Sequence, residues 1–332
     1  MKKVLVWLAG VSLVISVSSC SSSPSLDGPW PNVVTSSPNY QLLANQLQGT
    51  GTPTEVPFFD YSVLMTNPNV DPHDYEPTAK DRLLLANADL VIFTGTEYDQ
   101  FVETLAESVG LDETKLISAD QNRAETDCKV VLESQRAGDI ECRDRKSNPH
   151  VWFDLNSTEA LATAITLRYV DLQPQYEEIY QTALDLFKTK VKKIREFQKT
   201  IRSSVGTDSY FFGPENLSNV FLEDLGLKPM LDISDKLAND VELSAKEMTE
   251  IKKMMLDKKI KIFAANISVP SPQVAELQAF AKSNGIPIMK FSESDLCGEN
   301  KPDFGDGGYT GCYVANIYKA GQLLKVELPK RA

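Results

Sequence analysis

From about Asn32 onward, short apolar runs of strand length alternate with longer segments of helical period. That alternation predicts an α/β protein with parallel sheets. In the first half the strand candidates are residues 33–36, 56–61, 90–94 and 115–118, with helical segments at 40–47, 79–87 and 100–109 and a further helical run at 157–169. The second half repeats the plan: strands at 209–212, 229–233, 261–265 and 287–291, helices at 217–225, 245–257 and 272–284, and a last helix at 313–324. Two such lobes leave a cleft beside the carboxyl ends of their strands, where open α/β sheets bind ligands.

Residues 175–203, which follow Pro174, contain neither Gly nor Pro, and Leu184, Phe187, Val191, Ile194 and Phe197 recur at roughly helical spacing. The average helix has about 11–12 residues, so a helix here is long enough to join two lobes stiffly; an ordinary amphipathic surface helix is the alternative. The resulting division is a first lobe over 32–173, a linking helix over 174–205 and a second lobe over 206–332. Residues 120–148 are polar and charged and hold Cys128 and Cys142, which suggests a surface loop tied down by a disulfide.

Residues 1–19 have the layout of an export signal: Lys2 and Lys3, an uncharged apolar run over 4–17, then Ser18 and Ser19. The run is shorter than the ~20 residues a bilayer span needs. A short membrane anchor is the competing possibility, disfavoured by Ser21-Ser22-Ser23-Pro24-Ser25 immediately after it. Val17-Ser18-Ser19-Cys20 resembles a bacterial lipobox, which implies cleavage before Cys20, a lipidated Cys20 and a linker over 20–31. Two acyl chains on that residue suffice for stable anchoring. The remaining Cys128, Cys142, Cys297 and Cys312 are even in number in an exported chain, which favours disulfides. Among three connectivities, the local pairs Cys128–Cys142 and Cys297–Cys312 are preferred. A cysteine zinc site is the rival, without any Cys-x-x-Cys spacing to support it.

Composition narrows the function. The 46 acidic against 34 basic side chains, for a net charge of −12, would repel a polyanion, and no long basic stretch offsets this; a nucleic-acid partner is thereby disfavoured. Only two histidines are present, in Asp71-Pro72-His73-Asp74-Tyr75 and Asn148-Pro149-His150-Val151-Trp152. Either one alone reads most simply as a surface or satisfied core residue. Sharing one local pattern, each behind a proline that stiffens the backbone, they read together as candidate ligands.

Asp71-Pro72-His73-Asp74-Tyr75-Glu76-Pro77-Thr78, Ala86-Asn87-Ala88-Asp89-Leu90-Val91 and Asn148-Pro149-His150-Val151-Trp152 resemble the solute-binding lipoproteins of bacterial manganese and zinc ABC importers. The resemblance implies two α/β lobes joined by one long rigid helix, with a single divalent metal held in the interlobe cleft by two ligands from each lobe. It assigns His73 and His150 in the first lobe. In the second it points to Glu215, ten residues before Leu225 of Leu225-Gly226-Leu227, and to an acid after Ile286-Pro287-Ile288. That acid is Asp295, with Glu293 competing for the fourth position. Without the resemblance, Glu215 is a carboxylate at a helix N-terminus and Asp295 a turn residue near Cys297. The chain departs from the family pattern in the cysteine-bearing loop 295–312.

Two imidazoles and two carboxylates make a harder, more oxygen-rich site than three imidazoles, which favours Mn2+, then Fe2+. Zinc-dedicated members of the family often carry a third His and a His-rich loop, and two histidines supply neither. Affinity alone does not decide, because Zn2+ outbinds Mn2+ at most such sites. The expectation is a monomeric, lipid-anchored protein on the outer face of the membrane, not an enzyme, that delivers a divalent metal to an ABC permease. Its ATPase is a separate chain, since no Gly-x-x-x-x-Gly-Lys-Ser/Thr loop is present. A Zn2+ or Fe2+ protein of the same importer type is the nearest alternative. From other classes come a metal-dependent hydrolase, for which no His-Glu-x-x-His is found, and a surface adhesin.

Overall fold

A computed structural model describes residues 30–49, 58–67, 71–123, 148–230, 242–257, 259–268, 271–299 and 308–329. The expected signal peptide, Cys20, Cys128 and Cys142 lie outside the described residues. The first lobe runs β1 (Asn32–Thr35), α1 (Pro38–Leu47), β2 (Asp60–Val63), α2 (Ala79–Ala86), β3 (Leu90–Phe93), α3 (Thr96–Asp99), α4 (Phe101–Val109), β4 (Leu116–Ser118) and α5 (Leu155–Leu172). Its strands form a parallel sheet in the order β2-β1-β3-β4. All four residues of β3 are buried, as a strand covered on both faces requires. Local signals set the helix ends: Thr78 and Asp81 form a reciprocal capping box at the start of α2, and Gly110, at φ 67°, closes α4.

The linking helix α6 (Glu177–Ser204) has 28 residues and a length of about 42 Å at 1.5 Å per residue. Tyr180, Leu184, Phe187, Val191, Ile194, Phe197 and Ile201 form its buried stripe. The second lobe follows with β5 (Tyr210–Phe212), α7 (Asn219–Asp224), β6 (Lys228–Pro229), α8 (Ala245–Leu256), β7 (Ile260–Asn266), α9 (Pro272–Ser283), β8 (Ile288–Phe291) and α10 (Tyr309–Leu324). The sheet, again parallel, has the order β6-β5-β7-β8, the same plan as in the first lobe. Each sheet therefore reverses direction of winding between its first and third strands, the position at which such sheets open a ligand crevice.

Several element bounds differ from the sequence expectation: the short helix α3 was not foreseen, and residues 231–233 of the strand expected at 229–233 lie outside the described residues. Two of the differences bear on packing around the site. The second strand begins at Asp60; residues 56 and 57 of its expected start lie outside the described residues, and Phe58 and Phe59 sit in an aromatic cluster in which Phe59 stacks on Tyr169 at 4.1 Å. The last helix begins at Tyr309, four residues earlier than its period suggests. Its first turn is held by first-lobe residues: Gln46 Nε2 donates to Thr310 Oγ1 at 2.7 Å and Gln46 Oε1 accepts from Thr310 N at 3.0 Å. Tyr313 in the next turn donates to the Phe153 carbonyl at 3.0 Å. The expected Cys297–Cys312 disulfide is present, with Cα atoms 4.6 Å apart, and ties this helix to the loop after β8.

Candidate metal centre

The shared pattern around the two histidines has a physical basis in an Asx-type turn. Asp71 Oδ1 accepts from His73 N at 2.9 Å, and Asn148 Oδ1 accepts from His150 N at 2.9 Å. In each case the residue before the proline orients the backbone of the residue after it. Both histidines then enter a short 3-10 turn, Pro72–Asp74 for the first and Val151–Phe153 directly after the second. Tyr98, in α3 just after β3, meets both imidazoles in edge-type contacts, with centroids 5.5 Å from His73 and 5.9 Å from His150.

His150 is 3% exposed. Its Nδ1 lies 2.8 Å from Asn148 Oδ1, while Asn148 Nδ2 donates to the Asn216 carbonyl at 2.8 Å across the cleft. That second bond fixes which end of the amide faces the ring, so Nδ1 carries the proton and Nε2 presents a lone pair. Burial drives the imidazole down to about 4, against the opposing charges of Glu215 and Asp71, so the ring is neutral at pH 7, the form that binds metals.

Nε2 of this ring lies 2.9 Å from Glu293 Oε2, and Glu293 is 1% exposed. Both atoms are buried and neither has a hydrogen-bond partner. Two facing acceptors at that separation require a proton or a cation between them. The backbone of Glu293 is gripped from the other lobe: its carbonyl accepts from Asn39 Nδ2 at 2.8 Å and from Tyr98 Oη at 3.0 Å. Asn39 Oδ1 also accepts from Leu296 N at 2.8 Å, so one amide clamps both ends of residues 293–296.

Glu215 follows β5 and meets the same centre through Asn266. The Asn266 amide donates to Glu215 Oε2 at 2.8 Å and to Glu293 Oε1 at 2.9 Å. Burial pushes both carboxyls well above the ordinary carboxylate range, and the charge of Glu293 raises Glu215 further. Crowding two like acids into one buried site favours their protonated forms, against which a cation competes.

Of the two acids proposed for the fourth position, it is Glu293 that stands against His150. Asp295, two residues on, accepts from Gly298 N at 3.0 Å within its own loop, the turn role also foreseen for it. His73 is exposed, and among the described residues no three His, Cys, Asp or Glu side chains are gathered closely enough to hold an ion. Glu293 meets His150 directly and is linked to Glu215 through the Asn266 amide, while His73 touches Tyr98, which also touches His150. Asn39, Tyr98 and Asn266 carry no motif that marks them; the one legible signal was Asn148, through its place two residues before a histidine. No helix among the described residues is long and apolar enough to cross a membrane.

Residues 33–317 match the family model described as ZnuA, zinc-uptake complex component A, periplasmic. The zinc-binding protein TroA of Treponema pallidum is 25% identical over 263 residues, 76% of this chain and 78% of TroA. A solved TroA structure superposes with a TM-score of 0.65 at 18% identity, covering 89% of this chain and 99% of that one. The manganese-binding lipoprotein MntA of Bacillus subtilis is 20% identical over 266 residues, 79% of this chain and 81% of MntA. The zinc-binding lipoprotein AdcA of Streptococcus pneumoniae is 24% identical over 309 residues; these are 90% of this chain but only 58% of AdcA. With the family model spanning most of its length, this chain belongs to the ZnuA family of periplasmic metal-uptake components.

Proposed function

We propose that this chain is an extracytoplasmic solute-binding lipoprotein that captures one divalent transition metal, Mn2+ foremost, and delivers it to an ABC permease driven by a separate ATPase. The ligands are His73, His150, Glu215 and Glu293. The observation that carries this assignment is the close approach of two buried atoms, His150 Nε2 and Glu293 Oε2, at 2.9 Å, with no other hydrogen-bond partner for either. A divalent cation bonded to both atoms takes the place of a shared proton and satisfies both lone pairs. Glu293 takes the fourth position in preference to Asp295, whose carboxylate already serves the Gly298 amide.

Capture draws the exposed His73 inward and expels the protons held by the two acids. Lipid on Cys20 keeps the protein, as a monomer, at the outer face of the membrane where a permease can receive the ion. Mn2+ is preferred on donor chemistry, since two carboxylates and only two imidazoles form an oxygen-rich set. The relatives carry names of both kinds, zinc for TroA and AdcA and manganese for MntA, and Zn2+ and Fe2+ are the alternatives within the same role.

Thermal melting of chelator-stripped protein tests the capture step, because a ligand that binds only the folded state raises its melting temperature. Absence of a rise with Mn2+, Zn2+ and Fe2+ alike would overturn it. Uptake of the three metals by cells with and without the protein decides the cargo; a deficit in zinc alone would replace Mn2+ as the principal ion.

A further inference from the structure

Asn266 ends β7, the strand that lies between β5 and β8 in the second sheet. The two acids emerge just beyond the ends of those flanking strands, so the Asn266 side chain stands between them. Its Nδ2 is bonded to one oxygen of each acid, Glu215 Oε2 at 2.8 Å and Glu293 Oε1 at 2.9 Å. Its Oδ1 accepts from Ser268 N at 2.9 Å, which fixes the amide with its donor end toward the acids.

Building on the metal-capture proposal above, we propose that Asn266 is a positioning residue that sets metal selectivity by confining Glu215 and Glu293 to one metal bond each. A carboxylate chelates through both oxygens only if both lie at bonding distance from the ion. An amide that draws one oxygen aside leaves a single oxygen facing the metal. For Glu293 that oxygen is Oε2, the atom already on His150 Nε2; for Glu215 it is Oε1. The Glu293 backbone is fixed in place, because Asn39 and Tyr98 hold its carbonyl, and its two carboxylate oxygens already face different groups, Asn266 and His150.

The consequence is a low coordination number. Zn2+ is satisfied by four ligands in a tetrahedron, whereas Mn2+ favours more oxygen donors in larger shells. The donor types therefore lean toward Mn2+ while the Asn266 amide leans toward Zn2+. A site poised in this way accepts both ions, and the balance between them rests on one amide.

The test uses the full chain and its Asn266→Ala and Asn266→Ser variants, stripped of metal and checked for folding by circular dichroism and melting. A serine hydroxyl is too short to reach both acids, so the second variant reads the same effect if the alanine variant does not fold. Each protein is loaded with Co2+, whose visible bands are intense with four ligands and weak with five or six, and is titrated with Mn2+ and Zn2+ in competition. The unsubstituted chain is expected to show intense bands; the variants are expected to show weaker ones and a ratio of Mn2+ to Zn2+ affinity shifted toward Mn2+ by about tenfold, the lower end of effects seen when groups that orient metal ligands are lost. Folded variants with unchanged bands and an unchanged ratio would overturn the role of Asn266 and leave metal capture standing. An unsubstituted chain that binds none of the three ions would overturn both.

Discussion

Asn148 holds His150 at two points, accepting from its backbone N at 2.9 Å and pairing with its ring Nδ1 at 2.8 Å, while its own Nδ2 reaches the Asn216 carbonyl in the other lobe. One amide thus sets the tautomer of a candidate ligand and spans the cleft. Groups that orient a metal-bound imidazole commonly contribute 10–100-fold to affinity. Asn148→Ala is therefore expected to weaken metal binding by about that factor, measured by calorimetry on stripped protein. An unchanged dissociation constant would show that Nε2 needs no such support.

Glu293 and Asp295 make opposite predictions. Glu293→Ala should abolish the metal-induced rise in melting temperature. Asp295→Ala should retain it and cost only about 1 kcal/mol in the metal-free protein, the worth of one hydrogen bond to Gly298 N. The reverse outcome would hand the fourth position to Asp295.

Asn39→Ala removes two bonds at once, leaving Leu296 N without its acceptor and the Glu293 carbonyl with Tyr98 alone. A stability loss of roughly 2–3 kcal/mol is expected from the unmet buried amide and the lost bonds, read from urea denaturation. A loss below half of that would mean the two lobes hold residues 293–296 by other contacts.

Asp99 is 1% exposed and accepts from Thr94 N at 2.9 Å and Gly95 N at 2.7 Å; burial nonetheless pushes its carboxyl up to about 6. The folded state therefore binds this proton more tightly than the unfolded chain, whose Asp titrates near 3.9. Between pH ~4 and ~6 the folded form carries more protons, so this group's contribution to stability falls as pH rises through that window and levels off above it. The total is on the order of 2–3 kcal/mol. Urea denaturation of metal-free protein across this range, compared with Asp99→Asn, isolates it: the variant should lack this part of the slope. Equal slopes in the two proteins would refute it.

The Cys297–Cys312 bridge closes a separation of 15 residues, for which the chain-entropy model gives about 3 kcal/mol. Replacing both cysteines by serine should lower stability by about that amount and leave metal binding in place, because Asn39 and Tyr98 hold Glu293 independently. Thiol titration of the unfolded, unreduced mature protein is expected to find no free thiol among Cys128, Cys142, Cys297 and Cys312. Two free thiols would remove the Cys128–Cys142 pair, and four would remove both.

Most of the architecture was legible because its causes are local. The apolar run Leu90-Val91-Ile92-Phe93 marks β3 and the Gly- and Pro-free stretch marks α6. The histidine motifs were legible for the same reason: the turns that Asp71 and Asn148 make with the histidine amides span only three residues.

What the sequence alone determined is thus the set of elements, their alternation and the residue types able to bind a metal. Tertiary structure decided which of them meet. Glu293 and Asp295 are acids two positions apart, and the segment that carries them is held beside His150 by Asn39 and Tyr98, 254 and 195 positions from Glu293 in the chain. The early start of α10 depends on Thr310 finding Gln46. Periodicity and turn chemistry are set by neighbours within a few residues, whereas the clamp on Glu293 and the shared amide of Asn266 exist only once separate strands and both lobes have packed.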